Sequence, residues 1–337
     1  MTPIHLEYST PTHIRKAEAT PLILLFGMPR SGTTWLGKIF DSHPDTLYRH
    51  EPDHRREADA PPLFISTRDA EYYRVVLEDY IVRLPEIRDE KVAASLPIFA
   101  KNYFSSSTLA MRKLAALTLK TASRLVGPVS MPRMGTLDHR GDFTLVWKSV
   151  ESLGWVGALA RLRPDARVFI ILRHPCGHIA SVRRGEAIRQ FKDKMPSSED
   201  WGVFGKLLAL PQAQGFSPDA VKAMTGVERM ALKWALYYEH ALAETSGLAN
   251  VFPVRYEDFC VNPLREARYA FELCGLPWSQ STERFIDLST YQDNPNYYSV
   301  FKNPLKGVHK WRSELSPEEV RRVLEITRRF RAGSFYR

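Results

Sequence analysis

Apolar positions along this chain fall into short unbroken runs separated by stretches with a helical repeat. The run LILLF, Leu22–Phe26, shows no polar alternation, as expected of a strand buried on both faces of a parallel sheet. A glycine loop follows. Then TTWLGKIFDSHP puts Trp35, Leu36, Ile39 and Phe40 on one helical face, with Pro44 as the stop. The punctuation recurs: FTLVWKS (143–149) reads as a strand, LGWVGALARL as a helix, and ARVFIILRHP (166–175) as a second buried strand. HIASVRRGEAIRQF is helical. VERMALKWALYYEHALAETSG is an amphipathic helix ending at Gly247, and NVFPVRYED is a further strand. Near the C-terminus, SPEEVRRVLEITRRF carries a capping box, Ser316 to Glu319, with Pro317 in the first turn.

Strands alternating with helices predict an α/β fold with a parallel sheet covered by helices on both faces. Two stretches depart from that rhythm. Residues 55–140 hold helical patches but no clear sheet strand, and 186–220 are mixed, with an aromatic, Pro- and Gly-rich middle. Both read as helical or loop insertions on one domain spanning 1–337, since no repeat, low-complexity tract or linker divides the chain. Their aromatics (Tyr72, Tyr73, Phe99, Tyr103, Trp201, Phe204) suit a ring-bearing ligand or a local core equally.

Composition narrows the picture slightly. The 337 residues are 44% hydrophobic and 25% charged, ordinary for a soluble globular chain with a large core. The net charge of +9 fits either general solubility or a cationic cleft for an anion. No dense Lys/Arg tract or zinc-finger spacing points to nucleic acid. Cys176, Cys260 and Cys274 form no C-x-x-C pair, which argues against a disulfide framework and fits a reducing, cytoplasmic setting. No run approaches the ~18 apolar residues of a membrane span, and the first residues lack a secretory apolar region. Oligomeric state is not legible.

The loop after the first strand carries the chemistry. GMPRSGTTWL has the two glycines of G-x-x-x-x-G-K-[ST], but Thr33 stands where that motif places the lysine for the β- and γ-phosphates. A glycine turn opening a helix still presents backbone N–H groups and a positive dipole end to an anion. Gly27, Ser31, Gly32, Thr33 and Thr34 therefore remain a phosphate cradle, with Arg30 bringing charge into the loop. The buried strand at 168–172 does not end in an aspartate for magnesium but runs into Arg173-His174-Pro175. A nucleotide kinase so equipped is the weaker alternative. A 5′-phosphate attended by side chains is the stronger one.

PRSGTTWL resembles the 5′-phosphosulfate loop of sulfotransferases that use 3′-phosphoadenosine 5′-phosphosulfate (PAPS). FIILRHPCGHIASVRR resembles that family's 3′-phosphate site, with Arg173 closing a strand and Ser181 eight residues later in the next helix. VRYEDF and KWRSELSPEE are also similar to the family, so the resemblance runs from Pro21 to about Glu319. It implies a P-loop-like sulfotransferase fold, PAPS as sulfuryl donor, no metal, and a small-molecule or carbohydrate acceptor. By resemblance Arg30 and Lys148 attend the leaving 5′-phosphate, Arg173 and Ser181 hold the 3′-phosphate, and Trp35 stacks on adenine. Tyr256 either contacts adenine or closes a buried strand.

The family's cytosolic members place a histidine base two residues after the second lysine, where this chain has Val150. Glu51, in RHEPDH, resembles the glutamate of carbohydrate- and protein-modifying members and becomes the candidate base, with Glu151 second and His50 and His54 behind. LKGVHKW departs from the family's RKGxxGDW loop, leaving Lys306 or Lys302 as the lid cation. A binding protein without catalysis is the remaining alternative.

Overall fold

A computed structural model describes residues 20–54, 60–126, 130–131, 143–188, 195–291, 300–301 and 303–336. Its strands are β1 (Leu22–Phe26), β2 (Thr46–His50), β3 (Thr144–Ser149), β4 (Arg167–Leu172) and β5 (Val251–Arg255). They form one sheet in the order β2-β3-β1-β4-β5, and every pairing is parallel. The longer helices are α1 (Thr33–Asp41), α2 (Ala70–Arg83), α3 (Ser106–Val126), α4 (Val156–Leu162), α5 (Pro175–Ala187) and α6 (Trp201–Leu208). They continue as α7 (Gly226–Glu244), α8 (Tyr256–Val261), α9 (Pro263–Leu273), α10 (Gln280–Tyr291) and α11 (Pro317–Thr327).

Strand alternation divides β1 between two apolar layers. Leu22, Leu24 and Phe26 pack with Leu77 of α2, Leu159 of α4 and Trp234 of α7, while Ile23 and Leu25 pack with Ile39 and Phe40 of α1, Phe271 of α9 and Phe285 of α10. The helices thus cover both faces, as the sequence pattern predicts. Pro253 costs β5 no ladder partner that matters, because β5 is an edge strand. At α11 both arms of the predicted capping box form.

One strand escapes the pattern. The sequence pattern predicts no strand in SHPDTLYRHEPDH, just beyond the first helix, yet Thr46–His50 is β2, with its first four residues buried. The reason is that its polar side chains find backbone acceptors. Arg49 Nε donates to the Leu84 carbonyl at 2.7 Å, and Thr46 Oγ1 to the Phe40 carbonyl at 2.8 Å. The first insertion then covers this edge: Tyr103 donates its hydroxyl proton to the Thr46 carbonyl at 2.8 Å. It is also pinned to α1, where Lys38 bridges Asp41 at 2.7 Å and the Pro97 carbonyl at 3.0 Å. Tyr103, Phe99 and Phe204 therefore serve packing, whereas Tyr72 stands 83% exposed.

Among the described residues, no helix is long and apolar enough to cross a membrane.

Candidate active site

Ligand crevices in open parallel sheets form beyond the carboxyl ends of the strands. Here each of the five strands delivers a sequence-predicted candidate there: the loop after β1, Glu51 after β2, Lys148 in β3, Arg173 after β4 and Tyr256 after β5. The loop is held hard. Tyr238 of α7 accepts from the Met28 amide at 3.2 Å and donates to the Ile171 carbonyl at 2.7 Å, locking β1's exit to β4. Arg30 sits at φ 70° and Gly32 at φ 88°. A Cβ on Gly32 would lie 2.1 Å from the Tyr256 ring, so two requirements exclude any side chain there.

Gly32 is the N-cap of α1 and supplies no side-chain cap, which leaves the first amides of the helix open to an anion. Of the loop hydroxyls, Ser31 is spent internally, donating to the Met28 carbonyl at 2.6 Å, and Thr33 is buried. Thr34 is only half-buried.

Arg173 is 8% exposed and bridges loop to strand, its Nη1 donating to the Arg30 carbonyl at 2.8 Å. Its guanidinium lies over the Tyr256 ring at 5.1 Å. Trp234 secures the backbone beneath, donating to the Arg173 carbonyl at 3.1 Å. Nε of Arg173 is buried with no hydrogen-bond partner among the described residues. A buried, permanently charged donor left open costs free energy unless an anion completes it, so this position fits a phosphate. Arg30 Nε reaches Ser181 Oγ of α5 at 3.3 Å. Arg30, Arg173 and Ser181 thus stand as one group, whereas Lys148 belongs to another; the two cations assigned to the leaving 5′-oxygen keep different company.

Trp35, which the resemblance places against adenine, is packed in the α1 layer. It is 7% exposed, its indole N–H donates to Ser289 Oγ at 3.0 Å, and its ring meets Tyr256 edge-on at 6.3 Å. Its helical spacing marked a core position, and it is one. Lys306 lies exposed on the short helix Pro304–Val308, which packs against α8, and Lys302 falls outside the described residues. From the same C-terminal segment, Trp311 stacks on His174 with ring centroids 4.7 Å apart. Burial, with Arg312 and Arg173 adding to it, holds the His174 imidazole down to about 4. Sequence reasoning passed over His178, whose buried ring is held down to about 3 by desolvation and by Arg173, Lys233 and Arg30.

The second group centres on Glu51. Its φ is 47°, and with Arg30 it makes up the non-glycine residues at positive φ among the described residues. Its amide donates to the Lys148 carbonyl at 2.8 Å, and its Oε1 pairs with Lys148 Nζ. Lys91, from the first insertion, reaches Oε2 at 3.1 Å. Burial opposes ionisation of Glu51, but Lys148 and its other cationic neighbours outweigh it and hold the carboxyl well below the usual range. Lys148 is wholly buried, and desolvation pulls its ammonium down against the attraction of Glu51.

Asp53 completes this corner, and nothing in the sequence singled it out. Its Oδ2 accepts from the hydroxyls of Ser149 and Ser152, tying the turn after Glu51 to the end of β3. Burial raises its carboxyl above the ordinary value. Glu151 is half-buried in the turn that follows β3, its amide donating to Ser149 Oγ at 3.0 Å. His54 is turned to the Glu51 carbonyl at 2.9 Å, and His50 to the Tyr48 hydroxyl at 2.9 Å.

Comparison with known proteins bears on the family. The chain is similar to carbohydrate sulfotransferase 3 of Mus musculus, 26% identical over 86% of this chain and 62% of the relative. It is similar also to carbohydrate sulfotransferase 1 of Rattus norvegicus, 22% identical over 87% of this chain and 74% of the relative. The chain thus spans about 62% of the length of the first of these. A solved sulfotransferase domain from the curacin biosynthetic pathway aligns over 91% of this chain and 96% of its own, at 17% identity and a TM-score of 0.45, too low to add to the assignment. The model of the sulfotransferase family matches residues 21–201, which hold the β1 loop, Glu51, Lys148, Arg173 and Ser181. That match spans more than half of the chain, and the chain belongs to the sulfotransferase family.

Proposed function

We propose that this chain transfers a sulfuryl group from PAPS to a hydroxyl or amine of a carbohydrate or small-molecule acceptor, directly and without a metal. The observation that carries the reading is the pair of anion sites at neighbouring strand ends: the uncapped α1 N-terminus and, beside it, buried Arg173 with an open Nε. Two anion sites on one crevice suit a nucleotide with phosphates at both ends of its ribose. Thr33, buried where a nucleotide-kinase loop has its lysine, supports the same preference over a kinase.

PAPS supplies the activated sulfuryl group when bound. The α1 amides and Thr34 would hold its 5′ end, and Arg173, Arg30 and Ser181 its 3′-phosphate; charged, forked donors suit that dianion. Lys148 would offset negative charge developing on the leaving oxygen. Glu51 would take the acceptor's proton. In the present arrangement each of its oxygens is paired with a lysine, so the acceptor's O–H competes with a lysine at either one.

The test is transfer of labelled sulfate from PAPS to a panel of sugars and phenols in excess chelator, for the native chain and for Glu51→Gln. Chelator-resistant transfer that Glu51→Gln abolishes, with cofactor binding intact, is the expected result. Full turnover by Glu51→Gln would remove Glu51 from the mechanism.

A further inference from the structure

The two lysines on Glu51 are not equivalent. Lys148 rises from the sheet and its side chain is 0% exposed, whereas Lys91 comes from the insertion and its side chain is 45% exposed. Glu51 itself keeps 17% side-chain exposure. Of the two lysines, the one that an acceptor arriving from solvent can meet is Lys91, on Oε2, while Lys148 pairs with Oε1. Lys91 stands on the four-residue helix Glu90–Ala93, capped by Asp89 and packed against β2. Its ammonium lies 3.1 Å from Oε2 and so competes there with an acceptor O–H.

We propose that Lys91 is an acceptor-side latch, occupying the acceptor's place on Glu51 Oε2 and withdrawing when the acceptor binds. This rests on Glu51 being the base. Four groups bear on that carboxylate: Lys148 from β3, His50 from β2, Lys91 from the insertion, and Asp53 from the following turn. Lys91 is the more exposed of the two lysines on its oxygens, so its removal uncaps Oε2 and leaves the buried pair with Lys148 in place. The Lys91 side chain is 45% exposed and Glu51 keeps its buried partner Lys148 when Lys91 is replaced, so a Lys91 variant should fold.

The experiment needs no identified acceptor, because water can serve. In that reaction the S–O bond to the 5′-phosphate breaks, a bond from sulfur to the water oxygen forms, and the water's proton passes to Glu51. The products are sulfate and adenosine 3′,5′-bisphosphate. Lys91→Met should hydrolyse PAPS at least ~3-fold faster than the native chain, and Lys91→Arg, which keeps the cap, should not. A second readout is independent of turnover: carbodiimide-driven coupling of glycine ethyl ester to Glu51, followed by peptide mass mapping, should speed up several-fold in Lys91→Met only. Unchanged labelling of Glu51 in Lys91→Met overturns the latch, whatever the hydrolysis rate. If labelling rises but Glu51→Gln hydrolyses PAPS as fast as the native chain, the base assignment fails and the latch loses its meaning with it.

Discussion

Replacing either member of the Glu51–Lys148 pair should destabilise the chain, and replacing both should largely restore it. Glu51→Gln strands an ammonium whose side chain is 0% exposed, and removing one partner of such a buried pair costs about 3–5 kcal/mol. Lys148→Met should cost less, because Glu51 keeps Lys91 at 3.1 Å and some contact with water. At roughly 2 °C per kcal/mol for a chain of this size, the Gln variant should melt ~5–10 °C lower at neutral pH. In Glu51→Gln/Lys148→Met no wholly buried charge is left uncompensated, since the Lys91 side chain is 45% exposed, and stability should return to within about 1–2 kcal/mol of native. Calorimetry or denaturant melts of the four proteins give the cycle directly.

The pH dependence follows with a definite sign. Glu51 ionises at lower pH folded than unfolded, so its contribution is complete above the unfolded value, about 4.3, and is lost as pH falls toward the folded one. The gap between native and Glu51→Gln should therefore narrow from pH 7 to pH 3. If the double variant instead loses the sum of the single losses, the two side chains are not coupled and the reasoning fails.

Other outcomes follow from the same geometry. Arg173→Lys should weaken binding of adenosine 3′,5′-bisphosphate by ~10–100-fold in calorimetric titration while leaving adenosine 5′-phosphate nearly unaffected, since an ammonium cannot reproduce the guanidinium's forked donors. Tyr238→Phe removes the bonds to Met28 and Ile171 and should cost about 1–3 kcal/mol in a denaturant melt, with weaker bisphosphate affinity as the loop loosens. Gly32→Ala should lower the melting temperature and bisphosphate affinity together. Adding Tyr256→Ala would relieve the 2.1 Å contact but leave the strain at φ 88°, so recovery should be partial.

What could be read from the sequence was what is local. β1, its glycine loop and the apolar face of α1 are contiguous, and a buried parallel strand advertises itself by an unbroken apolar run. Arg173 and Lys148 were legible for the same reason, each lying at the end of such a run. β2 was not, because what makes Thr46 and Arg49 tolerable inside the fold is carbonyls at Phe40 and Leu84, which no periodicity reports. Nor could spacing show that Arg30 turns toward Ser181, or that Lys91 and Asp53 converge on the Glu51 corner; those contacts are set by how the insertion and the β3 turn fold back. Trp35 shows the opposite case, where helical periodicity marked a core position and resemblance a ligand contact, and the structure buries the ring.

The most direct test of the central claim is calorimetric or thermal-shift titration of the native chain with adenosine 3′,5′-bisphosphate, adenosine 5′-phosphate and ATP, each with magnesium and with chelator. A ligand at ~100 times its dissociation constant adds about 2.7 kcal/mol of stability, well within detection. The account predicts metal-independent binding of the bisphosphate, much weaker binding once the 3′-phosphate is absent, and no advantage for ATP. Stabilisation by ATP with magnesium and none by the bisphosphate would contradict it.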